Sequence, residues 1–108
     1  MDRKKIKTSI ICPNEKCFLC GSKIGLELHH CLMGSYREMA DQDKLFVALC
    51  SEHHWRLHNF NEHKKELQNI AQEAWISNRA KEISSDYENA QERAKYEFRE
   101  RYGRFFYE

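Results

Sequence analysis

The sequence predicts a small α+β protein, with two short strands and a helix in a Cys- and His-rich N-terminal part and further helices after it. Three observations predict this class. All five Cys and six His lie between Cys12 and His63, two segments in that part have strand patterns, and the remainder repeats apolar residues at helical spacing. We therefore expect two units, residues 1–61 and a helical extension over residues 62–108 that packs on them.

Length and charge exclude several classes of protein. The chain has 108 residues and a net charge of +1, which suits one small domain with a thin core. There is no apolar run of about 18 residues to span a membrane, and the basic start lacks the apolar stretch of a signal peptide. We expect a cytoplasmic protein without disulfides, in which any basic surface is local.

Two Cys and His pairs with the same spacing predict a zinc site. Cys17 and Cys20 are separated by two residues and followed by Gly21, and Cys50 and His53 repeat that spacing further along the chain. Zn²⁺ prefers tetrahedral sulfur and nitrogen ligands, and a site with four protein ligands is closed and structural. We expect Cys17, Cys20, Cys50 and His53 to bind one structural zinc ion.

The other two cysteines and one histidine have no firm assignment. Cys12 could replace Cys20 as the partner of Cys17, although the glycine after Cys20 favours Cys20 because it permits a tight turn. Cys31 is interpreted as a small packed strand residue, with metal ligation as the alternative. His63 is interpreted as a surface residue.

The segment between the two pairs predicts a hairpin. Residues 24–30 alternate leucine with polar side chains, residues 45–49 are continuously apolar, and both patterns are typical of short strands. Residues 32–44 between them are interpreted as a polar loop.

A second group of histidines lies on this hairpin and on the helix predicted to start near Ser51. His54 and His58 are four residues apart and share one helical face. Together with His29 they could fix a divalent ion and leave positions open for a phosphate and water, which is a catalytic arrangement. His30, on the opposite face of its strand or held by a backbone carbonyl, would accept a proton from water. The alternative is one loose zinc cluster, or partly exposed histidines.

Two apolar series predict two helices in the extension. The first comprises Leu67, Ile70, Ala71, Ala74 and Trp75, and the second Ile83, Tyr87, Ala90, Ala94, Phe98 and Tyr102. Ser85 and Glu88 fit a capping box between them, and Gly103 would end the second helix so that residues 105–107 fold back. We interpret the pair as a cover for the N-terminal part, with a partner-binding or DNA-tracking arm, or a homodimer contact, as the alternative.

The order of these motifs resembles that of the HNH endonucleases, the ββα-metal nucleases with a zinc-binding staple. The likeness rests on the Cys pair, the His pair that ends the first strand, the Leu-Cys that ends the second, and the His-His-x3-His on the helix. It covers roughly residues 17–60 and extends weakly into the tail. Small HNH proteins encoded by phages and prophages are the most similar.

The resemblance implies a metal-dependent DNA endonuclease that uses no small-molecule cofactor. It implies that His30 is the general base and that His29, His54 and His58 are ligands of a catalytic Mg²⁺, Mn²⁺ or Zn²⁺. The candidate DNA contacts are Arg37, Lys44, Arg56 and the basic arm of residues 3–7. The alternatives are a zinc-dependent DNA-binding accessory protein that does not cleave, and a zinc-stabilised interaction protein.

One position departs from the family pattern. The middle Asn of HNH proteins lies five residues before the Leu-Cys cysteine, and this chain has Leu45 there. That Asn pins the loop of the general base or contacts the metal. Its task would fall to Asp41, Asp43 or Lys44.

Overall fold

The structure is a computed structural model, which describes residues 9–83 and 87–106, without the side chains of residues 87 and 88. In this part the chain forms one two-stranded antiparallel sheet and four α-helices, which confirms the α+β class. The elements in order are β1 Leu26–His30, a 3-10 turn Gly34–Tyr36, α1 Arg37–Gln42, β2 Phe46–Cys50, α2 Ser51–Phe60, α3 Lys64–Ile83 and α4 Tyr87–Tyr102. None of these helices is long and apolar enough to cross a membrane.

The two predicted strands form a hairpin with a fixed register. Leu26 pairs with Cys50, and His30 pairs with Phe46. Every residue of β2 is buried, as its apolar run predicts, whereas β1 is only partly covered. Side chains alternate along β1, so Glu27 and His29 share the face opposite to that of His30.

The prediction of a polar loop over residues 32–44 is wrong. This segment contains the 3-10 turn and α1, and Leu32 and Ala40 are fully buried. The Leu45 amide donates a hydrogen bond to the Ala40 carbonyl at 2.8 Å, which ties the end of the segment to α1. A helix of six residues is too short to show a repeating apolar pattern, and tertiary packing stabilises it instead.

The helix predicted to start near Ser51 is confirmed as α2. It ends where Asn61 adopts a left-handed conformation, with φ of 59°, and donates its amide hydrogen to the Leu57 carbonyl at 2.9 Å. Leu57 is the residue of α2 that is buried. The other faces of this short helix are therefore open for polar side chains.

The helices α3 and α4 lie on either side of the predicted break, but one residue was assigned to the wrong helix. Ile83 is the last residue of α3 and does not begin the second series, because Ile76 and Ala80 continue the buried stripe of α3 up to it. The predicted capping box at residues 85–88 lies outside the described side chains. The predicted end of the second helix is confirmed: Gly103 has φ of 79° and its amide bonds the Arg99 carbonyl at 2.7 Å.

One hydrophobic core joins both parts of the chain. It includes Leu49 and Leu57 from the N-terminal part, and Leu67, Phe98 and Phe106 from the extension. The Phe106 amide donates to the buried Gln72 Oε1 at 2.7 Å, so the aromatic tail folds back as predicted as far as it is described. The helical extension thus supplies much of the core that a 61-residue unit would lack.

Candidate metal centres

A tight turn presents Cys17 and Cys20 to the sheet. The Gly21 amide bonds the Cys17 carbonyl at 2.9 Å, and Gly21 takes φ of 83°, a conformation that glycine adopts without strain. The Phe18 amide donates to the Ala48 carbonyl at 2.8 Å and thereby docks the turn on β2. This local geometry places Cys20, and not Cys12, as the partner of Cys17 among the possible metal ligands.

Four possible metal ligands converge where β2 passes into α2. One ligand atom from each of Cys17, Cys20, Cys50 and His53 lies within 4.8 Å of all the others. The Cys20 and Cys50 sulfurs are 3.8 Å apart, and His53 Nδ1 lies 3.3 Å from the Cys50 sulfur and 3.8 Å from that of Cys17. The predicted set is therefore assembled in space and could hold a metal ion.

The separations fit a tetrahedral zinc ion. Zn–S bonds of about 2.3 Å and a Zn–N bond of about 2.0 Å place two sulfurs about 3.8 Å apart and a sulfur about 3.5 Å from a nitrogen. The three distances given above lie within about 0.3 Å of these values. Burial raises the pKa of the Cys17 thiol, but backbone amides that donate hydrogen bonds to it outweigh burial and lower the pKa to about 6. Cys17 thus favours the thiolate, which is the form that binds metal.

The cysteines without a firm assignment lie outside both candidate metal groups of the described residues. Cys31 is buried in the core, and burial, followed by the nearby Cys12, raises its pKa to about 12. The neutral thiol is packed as predicted, but Cys31 lies one position after β1 and is not a strand residue. His63 is exposed and bonds Glu66 at 2.6 Å, in agreement with its interpretation as a surface residue.

The second predicted group is also assembled. Ligand nitrogens of His29, His54 and His58 lie within 4.8 Å of one another, and the Nε2 atoms of His54 and His58 are 3.1 Å apart. The His29 ring centroid lies 5.6 Å from that of His54 and 5.8 Å from that of His58. Three imidazoles that converge in T-shaped contacts form an open set of nitrogen ligands, which fits a divalent transition metal or zinc.

Glu27 orients this group, although the sequence did not single it out. Its carboxylate accepts a hydrogen bond from His54 Nδ1 at 2.5 Å, which leaves the lone pair of His54 Nε2 facing His58. A carboxylate behind a histidine ligand fixes the ring and its tautomer. The available signal was the strand period, because Glu27 and His29 are two residues apart on β1 and share a face.

His29 is the most buried member of the imidazole group, at 3% exposure. Burial first, and then the neighbouring His54, His58 and His30, lower its pKa to about 4. The imidazole is therefore neutral at pH 7, which is the form that binds a metal ion.

His30 lies outside the three-histidine group and makes its own contacts. Its Nε2 atom bonds Asp41 Oδ1 at 2.9 Å, Arg37 Nε lies 3.4 Å from its Nδ1, and its ring packs on Phe46. The sequence predicted that His30 would lie on the opposite face of its strand or bond a backbone carbonyl. It lies on the opposite face, and its hydrogen-bond partner is the carboxylate of Asp41. Asp41 accepts at Nε2 and Arg37 donates to Nδ1, so the two contacts match the tautomer with its proton on Nε2.

The predicted DNA-contacting residues have different surroundings. Arg37 lines an open cavity of about 510 Å³ together with His30, Ser35 and Asp41. Arg56 instead pairs with Glu52 at 2.9 Å and lies 3.9 Å from Glu62. Arg37 is thus the candidate contact that lies beside His30.

Lys44 and Leu45, two further positions singled out in the sequence, lie between α1 and β2. Lys44 is exposed and adopts a left-handed conformation, with φ of 62°, where the chain turns from α1 into β2. Leu45, which stands where the HNH proteins that the chain resembles have Asn, is fully buried in the core. The basic arm of residues 3–7 lies outside the described residues.

The described fold and its sites define a small α+β protein with two Cys/His groups that could each hold a metal ion. No protein-family model matches the chain, and no curated protein or solved structure matches it significantly. Conclusions about function therefore rest on the residues and geometry of this chain.

Proposed function

We propose that this chain is a metal-dependent DNA endonuclease of the HNH type, built on a zinc-stapled ββα-metal module. One observation carries the proposal: α2 contributes to two separate ligand groups at once. Its N-terminal turn adds His53 to the three cysteines, while His54 and His58 meet His29 on the hairpin. A closed Cys3His group next to an open three-histidine group is the division expected between a structural and a catalytic metal.

The contacts of His30 suit a general base. Asp41 would hold the Nε2 proton and keep the Nδ1 lone pair turned outward, where it would take a proton from water. The 3.4 Å contact with Arg37 is long and exposed, so a DNA phosphate can draw the guanidinium away from Nδ1. A divalent ion on the three histidines would supply charge stabilisation for the phosphate and the leaving oxygen.

Asp41 is placed to do the task of the missing HNH Asn. Leu45 is buried, but Asp41 lies four residues earlier, and its carboxylate reaches the imidazole directly. We propose that Asp41 takes over the task of fixing the general base. The resemblance further suggests phage or prophage DNA processing or recombination in the cytoplasm of a bacterial host.

Plasmid cleavage tests the proposal. The purified protein should nick or linearise plasmid DNA with Mg²⁺ or Mn²⁺, and EDTA should abolish this activity. His30→Ala should lower the rate by about 10²- to 10⁴-fold, which is the usual contribution of a general base. His63→Ala is the matched control, since this exposed histidine lies outside the three-histidine group, and it should cleave like the unmodified protein.

A DNA-binding protein that does not cleave is the second candidate, favoured by the buried Leu45 at the position of the family Asn. Fluorescence anisotropy with labelled duplex DNA separates the two candidates. Tight binding without cleavage in any divalent metal would support the accessory protein. Unchanged cleavage by His30→Ala would refute the assignment of the base.

A further inference from the structure

Asp43 is a meeting point between the N-terminal part and both long helices. Its Oδ2 atom accepts hydrogen bonds from Trp75 Nε1 at 3.0 Å, Arg101 Nε at 2.6 Å and the Tyr102 hydroxyl at 2.6 Å. Only 16% of the Asp43 side chain is exposed. Hydrogen bonds to an ionised, largely buried acceptor are strong, so Asp43 joins α1 firmly to α3 and α4.

The extension also holds the rest of the segment that ends at Asp43. Arg101 donates a second hydrogen bond to Gln42 Oε1 at 3.1 Å. At the other end of the segment, the Tyr36 ring lies 5.1 Å from the Phe106 ring and 6.2 Å from that of Tyr102. The 3-10 turn and α1 are thus fixed at both ends by residues of α4 and of the tail.

This segment carries both polar partners of His30. Arg37 starts α1, and Asp41 lies two residues before Asp43. A helix of six residues is unstable by itself, so its position depends on what it packs against. The Ala40 side chain and the contacts of Asp43 with the extension provide that support.

We propose that Asp43 is a positioning residue for His30: by binding α3 and α4 it fixes α1, and thereby holds the Asp41 carboxylate against His30 Nε2. The helical extension then takes part in the His30 site and is more than a cover. The catalytic meaning of this link rests on the proposed function, whereas the positioning itself can be measured without cleavage.

Nuclear magnetic resonance of ¹⁵N-labelled protein loaded with zinc tests the proposal. The Nε2 proton of His30 should be visible and protected in the unmodified protein, and Asp41→Asn should remove that protection. Asp43→Asn should speed its exchange with water by about tenfold or more, the effect expected when a charged hydrogen bond is lost. Asp43→Asn should also lower kcat for DNA cleavage with little change in KM.

The control is Glu97→Gln, which removes the charge from the 2.6 Å pair of Glu97 and Arg79 between α3 and α4, and the partners of Glu97, Arg79 and Arg93, lie on those two helices. Both variants should melt earlier, but Glu97→Gln should leave the His30 proton protected. If Asp43→Asn does not fold, Tyr102→Phe removes one of the three donors and keeps the ring, and it should give a smaller acceleration of the same exchange.

Three results would overturn the positioning role. The first is a His30 Nε2 proton that is unprotected in the unmodified protein. The second is a proton that is as well protected in folded Asp43→Asn or Tyr102→Phe protein as in the unmodified protein. The third is a loss of protection in Glu97→Gln as large as that in Asp43→Asn. A protein that never cleaves DNA but shows the expected exchange would refute the endonuclease and keep the positioning role.

Discussion

Cys50 links two elements and one candidate metal group. It is the last residue of β2, caps α2 at its N-terminus, and places its sulfur 3.3 Å from His53 Nδ1. In a small domain with a thin core, a metal bound here would replace part of the missing hydrophobic stabilisation.

Replacing Cys50 should therefore cause loss of the bound metal and unfolding of the protein. We expect Cys50→Ser to lose the tightly bound zinc, about one ion per chain in the unmodified protein, because zinc binding and folding are coupled. Elemental analysis and circular dichroism measure the two effects. Cys12→Ser is the matched control and should keep the metal. A Cys50→Ser protein that retained both zinc and helical content would exclude Cys50 as a ligand.

Glu27 gives a second prediction at the level of a residue. Glu27→Gln removes the charge behind His54, and we expect the metal affinity of the three-histidine group to fall by about 10- to 100-fold. Isothermal titration with Mn²⁺ or Zn²⁺ measures this affinity. Glu52→Gln is the control, since Glu52 pairs with Arg56 and not with a histidine of this group. Equal affinities for the two variants would contradict the role of Glu27.

At the level of the elements, α3 and α4 depend on an aromatic cluster. Phe98 is fully buried and contacts the rings of Trp75, Tyr102, Phe105 and Phe106. These rings lie on α3, α4 and the tail, so Phe98 stabilises their mutual packing.

Removing that ring should be costly. We expect Phe98→Ala to lower the free energy of unfolding by about 3–5 kcal/mol, because a large cavity opens in the core. Tyr96→Ala on the same helix should change it by less than about 0.5 kcal/mol, since Tyr96 is 63% exposed. Urea denaturation of both variants measures the difference. A loss below about 1 kcal/mol for Phe98→Ala would contradict the packing.

At the level of the whole molecule, the two ligand groups differ in how many ligands the protein could supply to a metal ion. The Cys3His group offers four possible ligands around one point, with Cys17 buried, whereas the imidazole group offers three. A closed thiolate site binds zinc more tightly than an open site that exchanges its remaining ligands with water.

Stepwise metal removal should reveal this difference. We expect brief treatment with EDTA to remove any ion from the imidazole group and to leave the zinc and most of the helical content in place. A thiol-modifying mercurial should release the second ion and unfold the hairpin region. Release measured with a zinc-binding dye, followed by circular dichroism, distinguishes the steps. A single release step with loss of structure would contradict two independent sites.

The sequence predicted the parts of the fold that depend on local pattern. The Cys-x2-Cys turn, the alternation of β1, the spacing of His54 and His58, and the glycine after α4 are each set by residues close together in the chain. It did not predict α1, which is too short for a periodic signal, nor that Ile83 belongs to α3, whose buried stripe leads up to it.

By itself the sequence determined the class of this protein and the membership of both ligand groups, because short spacings on strands and helices bring those residues together. Only the tertiary structure decided the partners of the site: Glu27 behind His54, Asp41 on His30, and Asp43 against α3 and α4. These contacts join residues between 11 and 59 positions apart. They depend on how the hairpin, α1 and the extension pack, and no local pattern encodes that packing.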